Sequence, residues 1–247
     1  MKIVVIGGTG LIGSKLVAKL REQGHHAVPA ALNTGVNTLT GDGLAEVLDG
    51  ATVVVDVSNS PSFADDPVME FFRTATTNLL AYSAKAGVAH YVALSVVGTD
   101  RLTESGYFRA KLVQEKLIRE SGQAYSIVHA TQFYEFVKAI ADFSTVDGKV
   151  HLPSALIQPM AAEDVAAGVA RAAVGQPVNG IREIGGPEQF RLDELVRKGL
   201  TAMGDPREVV TDEQAAYYGA RLSERTLVPG PDAQLGQITF AIWLAHR

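Results

Sequence analysis

The chain has 247 residues, 47% of them hydrophobic and 20% charged, enough for one sizeable core with a small lobe and too apolar for a disordered polypeptide. A formal net charge of −5 and the lack of any Lys/Arg run argue against a nucleic-acid partner held by a broad basic face. Zero cysteines exclude disulfides, thiolate nucleophiles and Cys-based metal sites.

Residues 2–6 predict a short buried strand that runs into Gly7-Gly8, and Leu11, Leu16, Val17 and Leu20 then recur at helical spacing until Gly24. Residues 27–32 read as a second strand, 43–49 as a short helix, and Val53–Val55 as a strand entering the polar loop Asp56–Pro61. Asp65-Asp66-Pro67 marks a helix start with an acidic cap, and that helix is expected to run to about Ala86. A strand at 88–94, a helix at 106–120 and a strand at 124–129 follow. Past residue 130 the pattern loosens. Phe133, Phe136, Val137 and Ile140 suggest a helix, 148–153 is extended, and 163–174 and 192–203 are helical around a strand at 181–184. Strands alternating with helices predict a doubly wound parallel α/β sheet. It is expected as one domain over 1–247, with residues 132–160 and 187–247 adding a small C-terminal substrate lobe. No secretory h-region and no apolar run of ~18–20 residues is present, so the expected setting is cytoplasmic, with no membrane partner.

The strongest local signal is Gly7-Gly8-Thr9-Gly10-Leu11-Ile12-Gly13, between the first strand and the first helix. Glycines there permit a tight turn and the approach of a pyrophosphate, and the helix N-terminus offers unpaired N–H donors. An acid at the end of the second strand would bind ribose hydroxyls and repel a 2′-phosphate. The stretch Ala30–Gly35 holds none, only Asn33 and Thr34, so NADP(H) is favoured over NAD(H); ordinary turn chemistry before Gly35 explains the same residues. A second constellation is Ser95, ending a strand, with Tyr107 and Lys111 spaced i, i+4 on the next helix. An ammonium beside a phenol makes Tyr107 a usable general acid, and a Ser hydroxyl can hold an oxygen on which charge develops. Tyr134 and Lys138 share the spacing but lack the preceding Ser. The histidines show no metal spacing, and no metal is expected.

These residues carry a resemblance. The chain resembles the short-chain dehydrogenase/reductase superfamily, in particular its atypical NmrA-like, NAD(P)-binding members, over roughly residues 1–185. The matching stretches are 7–13, Asn78-Leu79-Leu80 with Ala86-Gly87-Val88, Val92–Ser95, and Tyr107–Lys111. The resemblance implies a Rossmann fold, Tyr107 as acid/base, Lys111 on the nicotinamide ribose, Ser95 orienting a substrate carbonyl, and Ser58 and Asn59 along the cofactor. It also places Gln132, Phe133, Phe136 and Met160 beside the substrate, although the two Phe suit core positions equally. Asn33 stands where many NmrA-like members carry Arg. The expected activity is reduction of a small-molecule ketone, aldehyde or quinone. A non-enzymatic dinucleotide-binding redox sensor and a nucleotide-sugar epimerase or dehydratase remain as alternatives. Oligomeric state is open, with a homodimer admitted.

Overall fold

The computed structural model describes residues 1–246. In chain order its elements are β1 (Lys2–Ile6), α1 (Leu11–Glu22), β2 (His26–Ala30), α2 (Leu44–Leu48), β3 (Val53–Asp56), α3 (Asp65–Lys85), β4 (His90–Val96), α4 (Gly106–Glu120) and β5 (Tyr125–Ala130). Then come α5 (Val137–Phe143), β6 (Thr145–Val146), β7 (Lys149–Leu152), β8 (Leu156–Ile157), α6 (Ala162–Val174), β9 (Gly180–Gly185) and β10 (Phe190–Arg191). The chain closes with α7 (Leu192–Ala202), β11 (Val209–Thr211), β12 (Gln234–Leu235) and α8 (Phe240–Ala245).

A seven-stranded parallel sheet runs in the order β12-β9-β5-β4-β3-β1-β2, flanked by helices. Ile3, Val4, Val5, Val54 and Val55 are fully buried. A parallel sheet covered on both faces requires such unbroken apolar strands rather than an alternating pattern. The chain leaves β1 toward β2 on one side and returns to β3 on the other. The glycine turn after β1 therefore sits where the strand order reverses, the position at which open α/β sheets bind ligands. This is the predicted doubly wound Rossmann-type fold.

The chain divides into two compact units. The first comprises Met1–Ser95, Gly106–His129 and Val165–Arg182, and holds most of the sheet with α1–α4. The second comprises Val96–Ser105, Ala130–Asp164 and the chain from Glu183 onward. In the second unit β11, β7 and β6 form a small sheet, β10 pairs antiparallel with β8, and α5 packs on α7. Segments 132–160 and 187–247, expected as the lobe, fall in this unit, which also takes in the loop after β4. Among the described residues no helix is long and apolar enough to cross a membrane.

Two local expectations change. The N-cap of α3 is Ala64, without a side-chain bond. Asp65 lies inside the first turn, where its charge suits the helix dipole, and it pairs with Arg109 at 2.6 Å. Phe133 is extended (φ −104°, ψ 145°) and a 3₁₀ turn at Tyr134–Phe136 precedes α5. Phe133 and Phe136 therefore do not share a face of one helix.

Candidate functional site

In the first unit the glycine turn is built by close packing. Gly7 has φ +75°, and a Cβ there would come 2.9 Å from Ser58 Cα. A Cβ on Gly8 would lie 2.6 Å from Pro29 Cα, and one on Gly13 only 2.1 Å from Gly7 O. Gly10 differs: a Cβ would meet only Gly7 O, at 3.3 Å, and Thr9, Gly10 and Leu11 are exposed. Gly10 is the N-cap of α1, which has neither a side-chain cap nor an acid in its first turn. Ile12 turns inward and is buried. The start of α1 thus carries no capping side chain and no acid at an exposed glycine, which fits a dinucleotide pyrophosphate. Thr9 Oγ1 donates to Asn33 Oδ1 at 3.1 Å, which ties the segment after β2 to this turn. The Thr34 hydroxyl is spent locally, accepting from Ala31 N at 2.8 Å and donating to Ala31 O at 2.9 Å. Asn59 is exposed in the loop after β3.

Tyr107 and Lys111 come together on α4 over one ring. Tyr107 packs edge-on against Phe72, with centroids 5.9 Å apart, and Lys111 Nζ lies 4.5 Å from the Phe72 centroid. Phe63 and Phe108 complete the aromatic surround of Tyr107. Gly106 lets α4 begin here, because a Cβ would fall 2.0 Å from Asp65 Oδ1. Lys111 is 2% exposed; its ammonium donates to Leu94 O at 2.9 Å and to Gln114 Oε1. Gln114 Nε2 in turn donates to Asp56 Oδ2 at 3.0 Å. Asp56 Oδ1 accepts from Ser58 N at 3.0 Å and Ser58 Oγ at 2.6 Å. One continuous relay therefore links the loop beside the glycine turn to Lys111. Burial pushes the Lys111 ammonium down to about 8, against the opposing pull of the Asp56 and Glu115 charges.

Ser95 is not part of this arrangement. Its buried hydroxyl donates to Glu115 Oε1 at 2.6 Å, and His129 Nε2 bonds the same oxygen at 2.9 Å. Ser95 thus faces α4, where Glu115 lies one turn beyond Lys111. In this structure the hydroxyl is engaged by that carboxylate. Burial raises the Glu115 pKa, but hydrogen bonds from His129 and Ser95 and the Lys111 charge outweigh that and hold it below the usual carboxylate value.

In the second unit the four residues expected beside the substrate do gather. Met160 N donates to Gln132 O at 2.8 Å, Tyr134 N donates to Met160 O at 3.0 Å, and Phe133 forms a parallel bridge with Met160. Phe133 stacks on Phe136 at 5.3 Å, and Phe136 is 42% exposed. Phe136 thus is not a core residue, whereas Met160 is buried. Both amide atoms of the buried Gln132 lack a partner, as do Thr131 Oγ1 and the Tyr134 hydroxyl. Unpaired buried polar atoms are costly, and an ordered water or a ligand would satisfy these. Sequence reasoning passed over Asp56 and Gln114. The available signals were a carboxylate ending an otherwise apolar strand and a Gln one turn beyond Lys111.

This fold and turn define an NAD(P)-binding Rossmann protein. Residues 7–174 match the family described as NAD(P)H-binding, and the chain belongs to that family. Photosystem II assembly factor Ycf39 from Cyanophora paradoxa is 24% identical over 149 residues, covering 55% of this chain and 46% of that protein. The same factor from Synechocystis is 23% identical over the same shares. The chain spans about half the length of these curated relatives. Among solved structures, MoeE5 in complex with UDP-glucose and NAD superposes with a TM-score of 0.76 at 17% identity, over 99% of this chain and 96% of that one. DesIV, a dTDP-glucose 4,6-dehydratase from Streptomyces venezuelae with NAD and TYD bound, gives 0.73 at 18% over 100% and 95%. At this identity the likeness establishes the fold. It extends through the C-terminal segments, so their length does not separate this chain from nucleotide-sugar enzymes.

Proposed function

We propose that the protein is an NAD(P)-dependent oxidoreductase that reduces a ketone, aldehyde or quinone, with Tyr107 as the general acid. The observation that carries this reading is that Tyr107 and Lys111 both pack against the Phe72 ring, with Lys111 wired through Gln114 and Asp56 to the loop beside the glycine turn. The reduced dinucleotide, held at the turn 7–13 and by Ser58, Asn59 and Lys111, supplies a hydride when bound. Tyr107 gives its phenolic proton to the oxygen that becomes an alcohol, and Lys111 keeps positive charge one helical turn away. Phe63, Phe72 and Phe108 hold the Tyr107 ring in place. The same reading takes Gln132, Phe133, Phe136 and Met160 as substrate contacts, supported by the unpartnered Gln132 amide. Ser95 has no direct part. Absence of any acid from 30–35 supports NADP(H) over NAD(H), and the setting is taken as cytoplasmic.

One observation favours a second reading, a dinucleotide-binding sensor or assembly protein without turnover. The Ser95 hydroxyl is committed to Glu115, which leaves the three-residue set incomplete, and the curated relatives are named as assembly factors. NADPH oxidation against aromatic ketones, aldehydes and quinones, with Tyr107→Phe in parallel, decides between the two. Turnover that falls roughly 10²–10⁴-fold in the variant, with cofactor affinity unchanged, is expected for general acid catalysis. Tight NADPH binding with no turnover by the unmodified protein would overturn the enzyme reading, and turnover indifferent to the substitution would remove Tyr107 from it.

A further inference from the structure

The second unit contains a cavity of about 430 Å³ lined by Asp100, Arg101, Glu183, Arg225, Val228 and the Pro229–Pro231 segment. Two glycines bring its walls together. Gly98, at φ +84°, lies so close beneath the chain that a Cβ would come 2.5 Å from Thr226 O. Gly185, the last residue of β9, lies under Pro229, whose Cγ would stand 2.9 Å from a Cβ there. Segment 225–231 is thereby drawn against the loop after β4 and the carboxyl end of β9, the edge at which open α/β sheets take ligands.

The charges are not equivalent. Glu183 Oε2 accepts from Gly230 N at 2.5 Å and so is spent closing the wall. The Asp100 side chain is 75% exposed and meets Arg101 only at 3.8 Å. Arg101 also donates to Arg225 O at 3.3 Å, which fixes one guanidinium on the segment that carries the other. Among the described residues the Arg225 guanidinium has no hydrogen bond or ion pair. Val228 and Pro229 supply a rigid apolar wall. Planar, pre-organised guanidinium forks beside an apolar wall suit an organic oxyanion.

We propose that this cavity binds the anionic group of an organic substrate, a phosphate or a carboxylate, through Arg225 and Arg101. Calling the ligand a substrate rests on the oxidoreductase reading; oxyanion binding at the two arginines does not. Isothermal titration of the NADP⁺-saturated protein with inorganic pyrophosphate and, separately, with succinate tests it. The comparison is among the unmodified chain, Arg225→Gln, Arg101→Gln and Arg182→Gln, an arginine outside the cavity. At least one anion is expected to bind, about tenfold more weakly in Arg225→Gln and in Arg101→Gln and unchanged in Arg182→Gln; which anion binds identifies the phosphate or the carboxylate. Binding of neither anion, binding indifferent to Arg225→Gln, or equal weakening in Arg182→Gln would overturn the proposal. Should Arg101→Gln lower the melting temperature through its bond to the 225 carbonyl, Arg225→Gln alone decides the outcome. If the protein takes up no NADP⁺ the titrations run without it, so failure of the cofactor reading and failure of this one are told apart.

Discussion

Gln114 and Glu115 are adjacent on α4, yet they belong to two separate buried networks. Gln114 joins Lys111 to Asp56 and, through Asp56, to Ser58 beside the glycine turn. Glu115 joins Ser95 to His129. The first network ends at Ser58, beside the glycine turn; the second connects β4, α4 and β5 internally. Both are buried and polar, and only where each chain of hydrogen bonds ends separates a tuning device from an internal brace.

Substitutions sharpen that contrast. Lys111→Met has the largest effect. The folded-state pKa of Lys111, about 8, lies below its unfolded value. Below pH 8 both states carry the proton and burying the charge costs stability. From pH 8 to about 10.4 the unfolded chain holds the proton and the native chain does not, so stability rises with pH across that window, by about 3 kcal/mol in all. Urea titrations at pH 7, 8, 9 and 10 are expected to show this rise in the unmodified protein and lose it in Lys111→Met.

Glu115→Gln is next. Removing the buried charge that His129 and Ser95 satisfy is expected to lower stability by roughly 3 kcal/mol at pH 7. Because the folded pKa of Glu115 is depressed, its contribution is present above about pH 4.5 and fades as pH falls through the folded value. The variant is therefore expected to lose less stability than the unmodified protein on acidification. Asp56→Asn acts on the other network. It removes a charge that holds the Lys111 pKa up and one that anchors Ser58, so NADPH binding is expected to weaken about fivefold, read by fluorescence titration. Ser95→Ala is smallest, about 1 kcal/mol of stability from one lost hydrogen bond, with NADPH oxidation within about twofold. A larger loss of turnover than of stability would return Ser95 to the reaction.

The fold was legible because its signals are local. Unbroken apolar strands, Gly at 7, 10 and 13, and the Gly106–Glu120 helix each follow from neighbouring residues. Tyr107 and Lys111 were legible for the same reason, being one turn apart. The bond from the Ser95 hydroxyl to Glu115 was not legible, because β4 and α4 bring together residues 20 positions apart in the chain. Asp56 and Gln114 meet only because β3 and α4, 58 positions apart in the chain, are brought together, and no local pattern encodes that. The arginine-lined cavity depends on Gly98 and Gly185 admitting a distant segment, and is likewise invisible to spacing.

On the proposed reading Lys111, set by Asp56 and Gln114, faces the dinucleotide. NADPH affinity measured from pH 6.5 to 9.5 for the unmodified protein, Asp56→Asn and Lys111→Met tests it without knowledge of the substrate. Affinity is expected to fall through a midpoint near pH 8, to fall at lower pH in Asp56→Asn, and to lose this step in Lys111→Met. An identical pH profile in all three would contradict the account.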